Sequence, residues 1–116
     1  MSKPRIEHVK ATASAQEISL ILERDGCVVI DRLLSEAFCD RILDDLHPWM
    51  NKVPEGDGEW LGFKTRRTHG LVAKSPAVRE NLCHPLILDI LDRVIGPWCD
   101  SFQLSSSSIT SIGPGE

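Results

Sequence analysis

The spacing of hydrophobic residues along this chain predicts amphipathic helices. Apolar residues recur at helical spacing within residues 18–22, 38–49 and 86–95, as they do on the buried side of a helix. Ser14, followed three residues later by Glu17, is typical of the capping box that begins a helix. The pattern therefore indicates several helices whose apolar sides pack against other elements.

Prolines mark further helix boundaries. Ser75-Pro76 and His84-Pro85 each place proline at the first position of a helix. The N–H at that position has no partner within the helix, so proline, which lacks it, is well tolerated there. Pro48 falls inside the second apolar pattern instead, so we expect it to kink or end that helix.

Extended and irregular segments separate the predicted helices. Residues 1–13 are polar and predict a disordered tail, whereas Cys27–Ile30 is a short apolar run that predicts a buried strand. Residues 51–60 are rich in glycine and proline and predict a loop. Leu61–Val72 is expected to be extended, with a basic cluster inside it. Gln103–Ile112 predicts a final strand.

The final strand is polar on both faces and runs into a Gly-Pro-Gly turn. An unpaired strand exposes a row of backbone N–H and C=O groups. Either this strand pairs backwards with earlier residues, or the sequence is the front part of a longer protein. The sequence offers no obvious partner strand within the chain.

Composition is ordinary for a globular domain of 116 residues, with 41% hydrophobic and 26% charged residues. The formal net charge of −4 argues against a nucleic-acid partner, which needs a basic face. No apolar run approaches the roughly 18 residues of a membrane helix. The four cysteines form no C-x-x-C pair; we expect reduced, buried thiols and a cytoplasmic protein. The oligomeric state stays open.

Three stretches resemble a known family when taken in order: ILERDGCVVIDRLLSEAFCDRIL, RRTHGLVAKSPAVRENLCHPLILDILDRVIG and SSITSIGPGE. Together they are similar to the N-terminal part of phytanoyl-CoA dioxygenase-like proteins, which are iron(II)- and 2-oxoglutarate-dependent oxygenases. The resemblance covers Ile18–Glu116. It implies an α+β fold, in which N-terminal helices precede the first strands of a double-stranded β-helix (a jelly roll, cupin-like). Residues 14–116 would be an incomplete domain, truncated before the metal motif.

The iron chemistry of that family needs two histidines and one carboxylate around the metal, and the first ligands come as His-x-Asp. None of the four histidines, His8, His47, His69 and His84, begins such a motif. We therefore expect no catalytic residue and no metal ligand in this chain. Iron(II) and 2-oxoglutarate are expected for the full-length protein, together with a small-molecule substrate, and neither cofactor is expected to bind this chain alone.

The candidate cofactor-binding residues come from two segments. The resemblance implies that the segment before the Ser-Pro helix lines the pocket, which singles out Arg66, Thr68 and His69. The alternative is that the adjacent arginines are solvated charges that pair with nearby acids. Ser107 and Thr110 are candidates on the last strand; because they lie three positions apart, only one can face inward unless the strand has a bulge.

Two functions follow from the sequence. The first is a fragment of an iron(II)/2-oxoglutarate-dependent dioxygenase that hydroxylates a small organic or acyl substrate, inactive alone because a closed β-helix needs about eight strands. The alternative is a small non-catalytic helical interaction module, or a degenerate remnant of the family. Cooperative unfolding of the isolated chain would favour the module.

Overall fold

A computed structural model describes residues 5–116, which divide into two units. The first unit contains the residues up to 35 and residues 83–103, and the second contains residues 36–82 and 104–116. Each unit combines helices with two short strands, so the α+β class is confirmed for the described residues, whereas the jelly roll stays a prediction. Within this part of the chain, no helix is long and apolar enough to cross a membrane.

The elements follow one another in a mixed order. The helices are α1 (Ala15–Asp25), α2 (Glu36–Met50), α3 (Leu71–Lys74), α4 (Pro76–Leu82) and α5 (Pro85–Val94), followed by a short 3₁₀-helix (Gly96–Trp98). The strands are β1 (His8–Lys10), β2 (Val29–Asp31), β3 (Arg66–His69) and β4 (Ser108–Ser111).

The core of the first unit lies between α1, α5 and the β1–β2 pair. Its buried apolar residues are Val9, Ala15, Ile18, Ile21 and Ile90. Partly buried side chains from α5 and β2 pack around them, as the apolar stripe on residues 86–95 predicts. Burial of a valine or isoleucine side chain contributes about 1.5–3 kcal/mol, so this contact stabilises the unit.

Helix α1 begins and ends as its sequence predicts. The Glu17 N–H donates a hydrogen bond of 3.1 Å to Ser14 Oγ, which is one half of the expected capping box. Gly26 follows the helix in the left-handed conformation, with φ of 77°, and its N–H donates to the Leu22 carbonyl at 2.8 Å. Glycine adopts this conformation without the penalty that a Cβ would impose.

The N-terminal segment differs from the predicted disordered tail. His8–Lys10 forms β1, which pairs in parallel with β2, and Val9 opposite Ile30 is buried. The physical reason is that Val9, although its neighbours are polar, packs into the hydrophobic core. A backbone hydrogen bond of 2.9 Å from the Val29 N–H to the Glu7 carbonyl also holds the segment in place. The predicted tail also includes residues 1–4, which lie outside the described residues.

The expected buried strand and buried cysteines need correction. Strand β2 is confined to Val29–Asp31, in which Val29 and Ile30 are half-buried and Asp31 is exposed. Cys27 and Val28 precede the strand. All four cysteines (Cys27, Cys39, Cys83 and Cys99) are free and exposed. An apolar neighbourhood in sequence therefore overestimated their burial.

Helix α2 is the longest helix of the second unit, with 15 residues. Its buried residues, Leu46 and Met50, lie one turn apart on one side. Pro48 lies within the last turn, and the helix ends at Met50 rather than at the proline. Pro48 has no N–H to donate to the Asp44 carbonyl, and only two residues follow it before the helix ends.

The final strand has a partner within the chain, contrary to our expectation. Strand β4 pairs antiparallel with β3, in a register that places Arg67 opposite Thr110 and Thr68 opposite Ile109. Strand β3 lies inside the segment expected to be extended, but the last two residues of that segment, Leu71 and Val72, begin α3 instead. The pairing escapes a periodicity argument because neither strand has an apolar face to mark its orientation.

Asp45 connects α2 to the start of α4. Its Oδ2 accepts hydrogen bonds from Ser75 Oγ at 2.6 Å and from the Ala77 N–H at 3.2 Å. Ser75 Oγ in turn accepts from the Val78 N–H at 3.1 Å, so the predicted cap of α4 is confirmed. Hydrogen bonds from Ser75 and Ala77 stabilise the charged form and lower the pKa of Asp45. The network holds α4 against α2.

Candidate functional site

The β3–β4 pair has two faces with different surroundings. Side chains alternate between faces along a strand, and directly paired residues share a face. Arg66 and Thr68 therefore share one face with Ile109 and Ser111. Helix α2 lies on this side of the strands, since its residue Leu46 lines one cavity together with Arg66, Ile109 and Ser111. We call these four strand residues the helix face.

The opposite face carries the other half of the two strands. Arg67 and His69 lie there with their paired residues Thr110 and Ser108. We call these four residues the open face. All four are polar, so the open face presents hydrogen-bonding groups where a packed sheet would present apolar ones. The basic cluster of β3, which appears continuous in sequence, is thus divided between two environments.

Each face borders a cavity. The cavity on the helix face has a volume of about 490 Å³, with a wall of α2 side chains opposite Lys64 and Arg66. The cavity on the open face has a volume of about 480 Å³ and is lined by Arg67, His69 and the loop that begins at Pro54. Both volumes are within the usual range for small-molecule sites, about 300–1,000 Å³.

Two of the sequence-predicted candidates lie on the helix face and contact other protein groups. Arg66 forms an ion pair with Glu55, with 3.7 Å between Nη2 and Oε1. Thr68 is only 6% exposed, and its Oγ1 accepts a hydrogen bond of 2.5 Å from Lys74 Nζ. The same ammonium lies 5.1 Å from the centre of the Trp49 ring. These contacts fix β3 to the helices.

The other three candidates are separated from these two. His69 and Thr110 lie on the open face, and both are exposed. Ser107 precedes β4, and its Oγ accepts from the Leu71 N–H at 3.1 Å. The Ser107 carbonyl accepts from the Gly70 N–H at 2.9 Å, so Ser107 stabilises the turn into α3.

Arg67 is the residue that the sequence-based choice omitted. It is half-buried on the open face, and its Nη1 donates a hydrogen bond to the Leu61 carbonyl. None of the ion pairs found among residues 5–116 includes it. Strand alternation could have identified it, because a strand that presents His69 to one side presents Arg67 to the same side.

The loop beside the open face is fixed at its C-terminal end by the Gly-Pro-Gly turn. Thr65 Oγ1 donates to Glu116 Oε2 at 3.3 Å, and Lys64 Nζ donates to the Pro114 carbonyl at 3.2 Å. Gly113 packs so closely that an added Cβ would lie 2.5 Å from the Lys64 Cβ. The tip of the loop is different, since Trp60 is 93% exposed.

Comparison with known families identifies the chain. The family model described as phytanoyl-CoA dioxygenase (PhyH) matches residues 22–113. The chain belongs to the phytanoyl-CoA dioxygenase family. The match includes both strands of the β3–β4 pair and all five helices except the first part of α1, and it confirms the resemblance that the sequence indicates.

Curated relatives in this family carry dioxygenase names. The dioxygenase aneA of Aspergillus aculeatus is 29% identical over 97% of this chain and 41% of its own length. The multifunctional dioxygenase prhA of Penicillium brasilianum is 29% identical, over 99% of this chain and 40% of its own length. The Fe(II)/2-oxoglutarate-dependent dioxygenase nvfF of Aspergillus novofumigatus is 27% identical, over 98% and 42%. The chain thus spans about two fifths of the length of these relatives.

The described residues do not fit an iron centre. Among residues 5–116, no group of three or more histidine, cysteine, aspartate or glutamate side chains is close enough to hold a metal ion. Two histidines have local contacts: His8 Nδ1 lies 2.8 Å from Asp31 Oδ1, and His84 Nδ1 accepts from the Leu86 N–H at 3.2 Å.

Proposed function

We propose that this chain forms the N-terminal part of an iron(II)- and 2-oxoglutarate-dependent dioxygenase that hydroxylates a small organic or acyl substrate. The observation that carries the proposal is the family match over residues 22–113, joined to a relative whose name states that chemistry. The open-face cavity is compatible with it, because its volume of about 480 Å³ is within the range of small-molecule sites and polar side chains such as Arg67 and His69 can orient a ligand.

In this proposal the chain's own residues support and line the pocket rather than react. Helix α2 covers one face of β3–β4, which leaves the open face to bind and orient ligands. The two strands would be part of a jelly roll of about eight strands, whose other strands would come from elsewhere in the protein. On this proposal the 116 residues alone do not turn over substrate.

The decisive experiment is to read the coding sequence past the codon for Glu116 and then express the protein encoded by the complete frame. We expect a His-x-Asp pair soon after this codon, followed by a distal histidine and an arginine. The purified protein should consume oxygen only when both iron(II) and 2-oxoglutarate are present. A stop codon directly after Glu116, or a complete protein with no such oxygen uptake, would contradict the proposal.

A non-catalytic interaction module is the competing function, and exposed aromatic side chains favour it. Trp60 and Trp98 are 93% and 86% exposed in their respective units, and large exposed apolar groups often mark contact surfaces. A chain that ends at Glu116 and unfolds cooperatively by itself would support this function in place of catalysis.

A cytoplasmic location is also part of the proposal. Its support is that the four exposed cysteines are free thiols, which persist in reducing compartments. Fractionation of cells that produce the tagged complete protein tests it, and recovery from a secreted or oxidising compartment would contradict it.

A further inference from the structure

The second unit contains a basic surface and an acidic loop whose charges have no opposite partner among residues 5–116. We propose that these two surfaces join two copies of this protein into a dimer, in which the loop of each copy docks on the basic surface of the other. The inference goes beyond the proposed function, because it uses neither a cavity nor a catalytic step.

The basic surface lies where α2 ends. Trp49 is 42% exposed, and two ammonium groups lie near its ring, with Lys52 Nζ 5.5 Å and Lys74 Nζ 5.1 Å from the ring centre. We call these three residues the basic patch. Neither lysine takes part in the ion pairs found in residues 5–116, and the Thr68 hydroxyl that Lys74 bonds is neutral. The basic patch therefore presents unbalanced positive charge beside an aromatic ring.

The acidic loop consists of residues 56–62, which we call the finger. Asp57, Glu59 and Trp60 lie on it, and all three are exposed. The two carboxylates belong to none of the ion pairs in the described part of the chain. The Trp60 side chain is 93% exposed, and tryptophan is enriched at the centres of protein–protein interfaces. The finger therefore carries negative charge together with an aromatic group suited to burial by a partner.

The base of the finger is closed, which limits the conformations of its tip. The N–H groups of Leu61 and Gly62 both donate to the Gly58 carbonyl, at 3.1 and 2.7 Å. Gly56 packs against the returning strand of the loop so closely that an added Cβ would collide with the Gly62 carbonyl oxygen. A loop that is already ordered loses less conformational entropy when it binds. The finger is thus prepared to dock without refolding.

A second copy of this chain is the partner that the charges favour. The carboxylates of the finger complement the ammonium groups of the basic patch, and an indole is well suited to pack against both lysine and tryptophan. Within the described residues of one chain, Lys52 pairs with neither Asp57 nor Glu59, so both surfaces remain available. The formal net charge of −4 makes two copies repel at long range, and locally opposite charges offset that repulsion and fix the orientation.

Two-fold symmetry doubles the contact. The finger and the basic patch belong to the same unit, and in a two-fold dimer each surface of one copy meets the other surface of its partner. One dimer therefore contains two finger–patch contacts, and neither surface is left exposed to bind a third copy.

The test is sedimentation-velocity ultracentrifugation of the protein encoded by the complete reading frame, over a range of protein concentrations. We expect a reversible equilibrium between monomer and dimer, with a dissociation constant that rises with salt because exposed charges are screened. Trp60→Ala should raise this constant at least about thirtyfold, the loss expected at a hot-spot residue. The matched control is Trp98→Ala, since Trp98 is 86% exposed but lies in the other unit; it should change the constant less than about twofold.

An exchange of charges tests the pairing directly. Lys52→Glu and Glu59→Lys should each weaken the dimer about tenfold or more, because each places like charges against one another across the interface. The double variant, which carries both substitutions, restores opposite charges and should recover most of the lost affinity. Circular dichroism of each variant checks that the fold is intact, and the exchange alone decides the question should Trp60→Ala fail to fold.

Four results would each overturn the inference. They are a protein that is monomeric at every concentration, a dimer that Trp60→Ala leaves unchanged, a dimer that Trp98→Ala weakens equally, and a double variant with no recovery. A monomeric protein that binds a separate acidic peptide through Lys52 would assign the basic patch to another partner, which also overturns it. Oxygen uptake plays no part in these measurements, so the proposed function and the dimer stand or fall separately.

Discussion

Arg66 and Arg67 are neighbours in sequence, but the two faces of β3–β4 give them different contacts. On the helix face, Arg66 pairs with Glu55 and Thr68 accepts from Lys74, so the polar groups are engaged within the protein. On the open face, Arg67 is held by one carbonyl and His69 is exposed. A shift of one residue along a strand exchanges the faces. The comparison shows that residue type alone does not predict whether a side chain pairs with an acidic group of the protein.

The largest expected effect on stability comes from removing the buried side chain of α2 on the side of the helix face. Leu46→Ala should lower the free energy of unfolding by about 2–5 kcal/mol, because Leu46 is 1% exposed. Leu43→Ala is the matched control on the same helix, since Leu43 is 56% exposed; its cost should stay below about 1 kcal/mol. Urea unfolding followed by circular dichroism measures both. Equal losses would show that α2 does not pack through this side.

Ser75→Ala should have the next largest effect. Ser75 is 0% exposed, and its hydroxyl both donates to Asp45 and caps α4. Removal of a cap costs about 0.5–2 kcal/mol, and the lost bond to Asp45 adds to this. The same unfolding measurement applies, with the exposed Ser105→Ala as control. A variant as stable as the wild type would contradict the role of Ser75.

Threonine variants test the two faces directly. Thr68→Val removes the acceptor for Lys74 on the helix face and should cost about 1 kcal/mol. Thr110→Val, on the open face, should change stability by less than about 0.5 kcal/mol, because Thr110 is exposed. Thermal unfolding of the two variants measures the difference in stability. The comparison would fail if Thr110→Val were the less stable variant.

The smallest expected effect is a dependence of stability on pH from Asp45. Its folded-state pKa is lowered by hydrogen bonds from Ser75 and Ala77, so its stabilisation is present above the unfolded pKa and is lost as the pH falls through the folded one. Asp45→Asn should flatten the acid limb of a plot of stability against pH. An acid limb identical to the wild type's would contradict this assignment.

Local signals in the sequence predicted much of the helical structure. Ser14, Gly26 and Ser75-Pro76 act within one helical turn, so their roles are visible in a few consecutive letters. Asp45 was not identified as the partner of Ser75, because the bond joins residues 30 positions apart. Side-chain chemistry at that separation follows from packing, which periodicity does not provide.

The strands were harder to predict for a different reason. Strand β1 has one apolar residue, Val9, and β3 has none, so alternation could not show which side is buried. Without that orientation, Arg66, Thr68 and His69 appeared as one basic cluster. The partner β4 supplies the missing information, since its register with β3 assigns every residue to a face.

The attachment of the loop beside the open face has a consequence for how such a protein can change. Its C-terminal anchor is rigidly specified, because Gly113 has no room for a side chain beside Lys64 and Thr65 bonds Glu116. Its tip includes Trp60, whose side chain is 93% exposed and therefore packs little against the rest of the protein. Substitutions at the tip can therefore change the wall of the cavity with little effect on the stability of the β3–β4 pair, whereas substitutions at the anchored end cannot.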